Sequence, residues 1–274
     1  MINRPTFIVS QWLNQVSVYI IGGVDTTKPK QAFTFTLQSL NQLFWPAVCI
    51  NCGESICETD KDLCQKCWAQ LLACTGGDYC RRCGRDAGKF AILQGACPNC
   101  QGKEFHFDSI ARSGVYREAL QQIILALKNG RTELDSTVGF LGNSALEGSG
   151  FYHDIELFVP VPLHWSRRLA RGYNQSHLLA RKLKHPTAKI KTDLVRTRRT
   201  KLQLSMSSPT ARAKNVAGAF AVRFGHNFTN RKICLIDDIK TTGATLNECA
   251  KTLKDAGASK VFALVLAVVG QNVI

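Results

Sequence analysis

The chain has 274 residues, 45% of them hydrophobic and 20% charged, with 35 Lys and Arg against 20 acids and a formal net charge of +15. That length and composition belong to an ordinary soluble protein able to bury a real core in one large domain or two modest ones, which argues against a membrane-embedded chain. The charge points to a polyanionic partner, whether nucleic acid, a membrane surface or a phosphate-rich ligand.

Residues 1–42 are read as an N-terminal extension of unknown role. Its stretch from Pro5 to Val24 is uncharged and carries Phe7, Ile8, Val9, Trp12, Ile20 and Ile21, but Ser10, Gln11, Asn14, Gln15 and Ser17 interrupt it. Neither a secretory signal nor a spanning helix is expected there, and the protein is assigned to the cytoplasm, where cysteines stay reduced.

Residues 43–103 form the next unit. Ten of the twelve cysteines fall between Cys49 and Cys100, and eight make four C-x-x-C pairs: Cys49/Cys52, Cys64/Cys67, Cys80/Cys83 and Cys97/Cys100. A C-x-x-C turn sets two thiolates on one side of a tight loop, the geometry of two vertices of a zinc tetrahedron. Gly53 and Gly84 follow their second cysteines and let the turns tighten. Two structural zinc ions are expected, each with four thiolates and no open position. A disulfide framework is the competing reading; it suits a secreted mini-domain better than this chain. The segment has few long apolar runs, so zinc is what would hold it folded. Cys57 and Cys74 lack C-x-x-C partners and are taken as bystanders.

After Gly102 an α/β pattern begins. Phe105–Val115 reads as a strand or hairpin, Glu118–Lys128 and Leu134–Leu146 as helices, Ile155–Val161 as a strand and Asn174–Leu183 as a helix. Thr197–Lys214 has no clear period and is expected to be a mobile loop. Ile233–Ile236 reads as a strand, Thr245–Asp255 as a helix and Val261–Val269 as a last strand. Near-continuous apolar strands alternating with helices predict a parallel sheet flanked by helices over residues 104–274.

The segment Ile233–Thr245 holds the chemistry. An apolar strand ends in Asp237 and Asp238, and Lys240, Thr241, Thr242, Gly243, Ala244 and Thr245 lead into a helix. Ligands of open α/β sheets gather at the carboxyl ends of strands. A helix start behind a tight loop offers N–H groups and a positive dipole end to a phosphate. The paired acids suit vicinal hydroxyls, so the segment describes a ribose 5-phosphate site. If Asp238 and Thr245 were merely turn and cap residues, the second acid and the Thr-rich run would have no purpose.

The segment resembles the phosphoribosyl pyrophosphate (PRPP) signature of type I phosphoribosyltransferases. A wider resemblance, from about Leu43 to Val268, is to the ComF/GntX family, with a double zinc ribbon ahead of a phosphoribosyltransferase-like domain. It is carried by the four cysteine pairs and by Tyr116 through Lys128. Val159-Pro160-Val161-Pro162-Leu163, running on to Arg171-Gly172-Tyr173-Asn174-Gln175, carries it too, as does Arg196 through Gln203 with Arg212, Asn215 and Ala219-Phe220. The resemblance implies that Asp237 and Asp238 act as the catalytic acids that position the ribose, with magnesium accompanying PRPP. It places pyrophosphate at Arg167, Arg168 and Arg171, with Arg198, Arg199 and Lys201 closing from the loop. Position 241 is Thr where 6-oxopurine enzymes use an acid, so a hypoxanthine- or guanine-type activity is not expected.

From Pro160 to Asn230 there are fifteen Lys or Arg against one acid, Asp193. The excess over what PRPP needs suggests a single-stranded nucleic-acid surface, with Trp165, Tyr173 and Phe220 for stacking; a solvated basic face is the plainer alternative. The family is associated with natural competence and single-stranded DNA uptake, so DNA and proteins of the competence machinery are the implied partners. The expectation is a PRPP-binding protein of the ComF type acting in DNA handling. The alternative is an active phosphoribosyltransferase on a small-molecule acceptor, without a DNA role. A purely interactive zinc protein fits the acid pair and its loop worst.

Overall fold

The computed structural model describes residues 47–56, 62–92, 96–100, 102–200 and 208–270. Residues 1–42, Cys57 and Lys201 therefore lie outside it. By its internal contacts the chain divides into two compact units, residues 1–65 and residues 66–274.

In the first unit a knuckle closes between Val48 and Ser55, with Cys49 N–H donating to Glu54 O at 2.7 Å and Gly53 N–H to Cys49 O at 2.8 Å. Helix α1, Gln65–Ala73, then carries the chain on. The second unit repeats the knuckle: Tyr79 bridges Asp86, and Gly84, at φ +77°, donates its N–H to Cys80 O at 2.6 Å.

The rest of the second unit runs β1 (Ser109–Val115), α2 (Glu118–Lys128), α3 (Asp135–Glu147), β2 (Leu157–Pro160), α4 (Trp165–Arg171), α5 (Gln175–Lys182), β3 (Lys189–Ile190), β4 (Leu194–Arg196), α6 (Pro209–Val216), β5 (Phe220–Val222), β6 (Lys232–Lys240), α7 (Ala244–Asp255) and β7 (Lys260–Val268). Five strands make one sheet in the order β1-β7-β6-β2-β3, every pairing parallel. β4 and β5 pair antiparallel beside it. Ile233–Ile236 and Val261–Val268 are buried almost without break, as strands covered on both faces must be. One face packs Val261, Ala263 and Val265 against Leu246, Cys249, Ala250 and Leu253 of α7. The other takes α3 and α5, where Leu264 approaches α3 at Gly142.

The expected parallel sheet with flanking helices is what forms, and α2 has the bounds its periodicity predicts. The expected mobile loop over Thr197–Lys214 needs correction. Its second half is helix α6, which starts where Ser208 Oγ accepts the Ala211 N–H at 3.1 Å and Pro209 presets the first turn. Residues 201–207 lie outside the described ones. The short α4, β3, β4 and β5 were not expected at all.

Candidate functional site

The sequence placed the two acids at the end of a strand that closed at Ile236; β6 in fact continues to Lys240. On one side it stays paired with β7, through Lys240 opposite Val268. On the other side β2 stops at Pro160, opposite Ile236. Asp237 and Asp238 therefore lie on a strand held by one neighbour only, beside the notch that the end of β2 leaves open.

Both carboxylates are gripped from several elements. Asp237 Oδ1 accepts from Ser176 Oγ at 3.0 Å and from the Asp238 N–H at 2.9 Å. Asp238 Oδ2 pairs with Lys128 Nζ at 2.9 Å. Burial, and then the Asp238 charge beside it, push the Asp237 carboxyl up to about 7, against the pull of the Asp238 N–H, Ser176 and Lys128. Tyr116 stands near this pair; burial raises its phenol, and Asp238 adds to the rise while Lys128 opposes it.

The Arg171-Gly172-Tyr173-Asn174-Gln175 element ties these parts together. Gly172 ends α4 at φ +79°. The Tyr173 hydroxyl bonds to Leu127 O and accepts the Gly130 N–H at 3.1 Å, fixing the end of α2 from which Lys128 reaches out. Asn174 caps α5 by accepting the Ser176 N–H at 3.1 Å, and its Nδ2 donates to Val161 O at 3.0 Å, just past β2. One five-residue segment thus positions Lys128, Ser176 and the rim of the notch.

Beyond Lys240 the chain turns through Thr241–Gly243 into α7. Gly243 sits at φ +89°, a left-handed conformation that an L side chain takes only under strain. Gly243, at the N-cap of α7, has no side chain to cap it, and no acid lies in its first turn. Its N-terminus therefore presents N–H groups and positive dipole to the loop, where the Thr242 Oγ accepts the Ala244 N–H at 3.4 Å. Lys240 goes the other way: its side chain is 3% exposed, and burial lowers it to about 8.

The cationic residues part company. Arg167 donates to Thr200 O at 2.8 Å, and Arg196 bonds to the Thr200 hydroxyl. Burial lowers both guanidiniums; beyond that, Arg171 and Arg199 lower Arg167, and Arg167 lowers Arg196, which Asp237 counters in part. The buried Arg196 Nε has no hydrogen-bond partner among the described residues. Arg198 instead donates to Asn215 O and Ala217 O, at the end of α6. Arg168 is exposed on α4. Of the expected stacking residues, Trp165 is 69% exposed, Tyr173 is held by its hydroxyl, and Phe220 is buried beneath Arg196, so Phe220 cannot stack on a ligand. Lys128, Ser176 and Arg196 had no role in the sequence reading. Lys128 ends an ordinary amphipathic helix, and only the segments that carry the family resemblance could have pointed to it.

A cleft of about 530 Å³, lined by Lys191, Asp193, His226 and Arg231 among others, opens at the amino-terminal end of β2 and β6. Two of its cations are matched, Arg231 by Glu156 at 3.4 Å and Lys191 by Asp193 at 3.8 Å.

The eight paired cysteines gather into two sets, Cys49/Cys52/Cys64/Cys67 and Cys80/Cys83/Cys97/Cys100, with all sulfurs of each set within 4.8 Å of one another. Sulfur separations of 3.5–3.7 Å within the sets match the ~3.8 Å edge of a tetrahedron with zinc–sulfur bonds of about 2.3 Å. None of these eight cysteines is in a disulfide. Burial alone would raise Cys80, but N–H donation from Cys83, Arg82 and Cys97 brings it to about 7. Each set fits a closed zinc site that staples its knuckles. Cys74 stays outside both, its thiol on Gln70 O.

No helix among the described residues is long and apolar enough to cross a membrane. Residues 40–103 match the double zinc ribbon domain. Competence protein F of Haemophilus influenzae is 30% identical over 78% of this chain and 93% of its own. DNA utilization protein YhgH of Escherichia coli O6:H1 is 27% identical over 79% of this chain and 94% of its own. Among solved structures, a hypoxanthine phosphoribosyltransferase from Staphylococcus aureus aligns with 50% of this chain and 64% of its own at 15% identity, with a TM-score of 0.32, a likeness too slight to build on. With two four-cysteine zinc sites, a parallel sheet and this degree of identity over nearly the whole of a competence protein, the chain belongs to the ComF family.

Proposed function

We propose that the chain binds PRPP with magnesium at the notch beside β6 and acts in the handling of single-stranded DNA. The observation that carries the reading is the overhang of Asp237 and Asp238 past the end of β2, next to the glycine-led start of α7. A phosphate on the loop would meet N–H groups and helix dipole. The sugar hydroxyls would then donate to the two carboxylates. Magnesium bound with PRPP would supply charge neutralisation of the diphosphate. Arg167, Arg196 and Arg199 are crowded with little matching negative charge, which suits the same diphosphate.

Calorimetry with magnesium and PRPP on the wild type and on Asp237→Asn/Asp238→Asn tests the site. Binding should be lost in the double variant; equal affinity in both would sink the assignment. The crowded arginines also favour a second reading, in which the carbon–oxygen bond to pyrophosphate breaks as an acceptor bonds to the anomeric carbon and gives up its proton. Acceptor-dependent pyrophosphate release would establish it.

The DNA part is supported by the names of two relatives, a competence protein and a DNA utilization protein. It is also supported by the net charge of +15 and by α4, where Trp165 and Leu169 are exposed beside Arg168.

A further inference from the structure

Lys240 begins the loop yet hides beneath it. A β-carbon on Gly243 would lie 2.8 Å from Lys240 Cε and 3.4 Å from Nζ, so the ammonium occupies the space directly under the loop. The residue is only 3% exposed. A cation held this deep in the fold is costly unless opposite charge is close at hand.

The second cysteine site is the neighbour that could supply it. Gly84, next to Cys83, packs on Val268, whose Cγ2 would be 3.1 Å from a β-carbon there. Val268 is the cross-strand partner of Lys240. Phe105 packs against both the Cys80/Cys83/Cys97/Cys100 set and the core of the sheet. Burial is the main influence on the Lys240 ammonium and disfavours its charge; Cys83 and Cys100 favour it, and Arg85 and Lys103 oppose it. Four thiolates around a zinc ion leave a net double negative charge.

We propose that Lys240 is a buried electrostatic link between the Cys80/Cys83/Cys97/Cys100 site and the Thr241–Thr245 loop, held under the loop as the counter-charge of the metallated thiolates, so that metal loading of this site governs the loop's hold on a phosphate. The ligand half rests on the PRPP reading above; the metal half does not. With zinc bound the ammonium is matched and the loop rests on a fixed base. Without it the knuckle loses its staple, and the ammonium loses its opposite charge. Linkage is reciprocal, so a ligand on the loop must in turn slow the loss of that zinc.

Transfer of zinc from the full chain to a chromogenic chelator, resolved into its phases, tests the link with and without magnesium–PRPP. Wild type, Lys240→Met and Lys240→Arg are compared, with calorimetric PRPP affinity for each. PRPP should slow one phase of wild-type release about tenfold. Lys240→Met should release that zinc faster without ligand, lose the protection, and bind PRPP about tenfold more weakly. Lys240→Arg, which keeps the charge, should keep the protection. Unchanged zinc release and PRPP affinity in Lys240→Met would overturn the link. So would equal losses in Lys240→Met and Lys240→Arg, since packing and not charge would then be the cause. A wild type that fails to bind PRPP, with Lys240→Met still speeding zinc loss, would overturn the PRPP reading alone and uphold the metal half.

Discussion

Asp237 gathers the conflict between folding and binding into one carboxyl. In the unfolded chain it would ionise near 3.8, whereas in the fold it holds its proton up to about 7. Between those values the folded state binds more protons than the unfolded one, so this group's contribution to stability falls as pH rises. Holding magnesium and ribose hydroxyls needs the ionised form, so affinity for magnesium–PRPP should rise from about pH 6 to about pH 8, as calorimetry across that range would register. Asp237→Asn removes the buried charge but keeps an acceptor for Ser176. It should raise the melting temperature by about 2–4 °C for each kcal/mol relieved. The same change should weaken PRPP by about 1.5–3 kcal/mol through the loss of charge-assisted bonds. Lys128→Met withdraws the cation that opposes this rise, so the midpoint of the affinity–pH curve should move up, by about a unit. The acid pair and the Thr-rich loop were legible in the sequence because strand, acids and loop are contiguous. Lys128 and Ser176 reach the acids from 110 and 61 positions away, and no local pattern announces such partners.

The sequence disclosed β1, α2, α3, β2, α5, β6, α7 and β7, most of them long enough to repeat their burial. Those it concealed are short. β3 has two residues, β4 and β5 three each, and α4 is a seven-residue turn of Arg with Trp165 and Leu169 facing out. None gives a period to read, and β4 and β5 form only because each finds the other. The extent of β6 was hidden for another reason. Its acids look like a strand end, but pairing with β7 through Ile239 and Lys240 prolongs it, which a single strand's composition cannot reveal. Asn174 binds two elements at once, so Asn174→Ala should cost about 0.5–2 kcal/mol as a lost cap, visible in thermal unfolding. It should also weaken PRPP binding, since Ser176 and the end of β2 lose their shared anchor.

Over the whole molecule, charge and aromatic exposure are the quantities that would set a DNA surface apart from a merely solvated one. Fifteen cations against one acid between Pro160 and Asn230 make a field that any polyanion would sense, but counterion release alone is indifferent to aromatic side chains. Trp165, 69% exposed, has no core to serve, and with Phe220 buried and Tyr173 anchored it is the remaining stacking platform of the three expected. Trp165→Ala should therefore weaken single-stranded DNA binding by about 1–3 kcal/mol while leaving the slope of log affinity against log salt unchanged. Arg168→Gln should do the reverse, lowering the slope by about one while costing little stacking. PRPP affinity should hold in Trp165→Ala, because the indole is exposed on α4 and stands against His164. If Trp165→Ala binds DNA as the wild type does and Arg168→Gln leaves the salt slope unchanged, the basic region is a solvated face, and the DNA role has to rest on another surface of this chain.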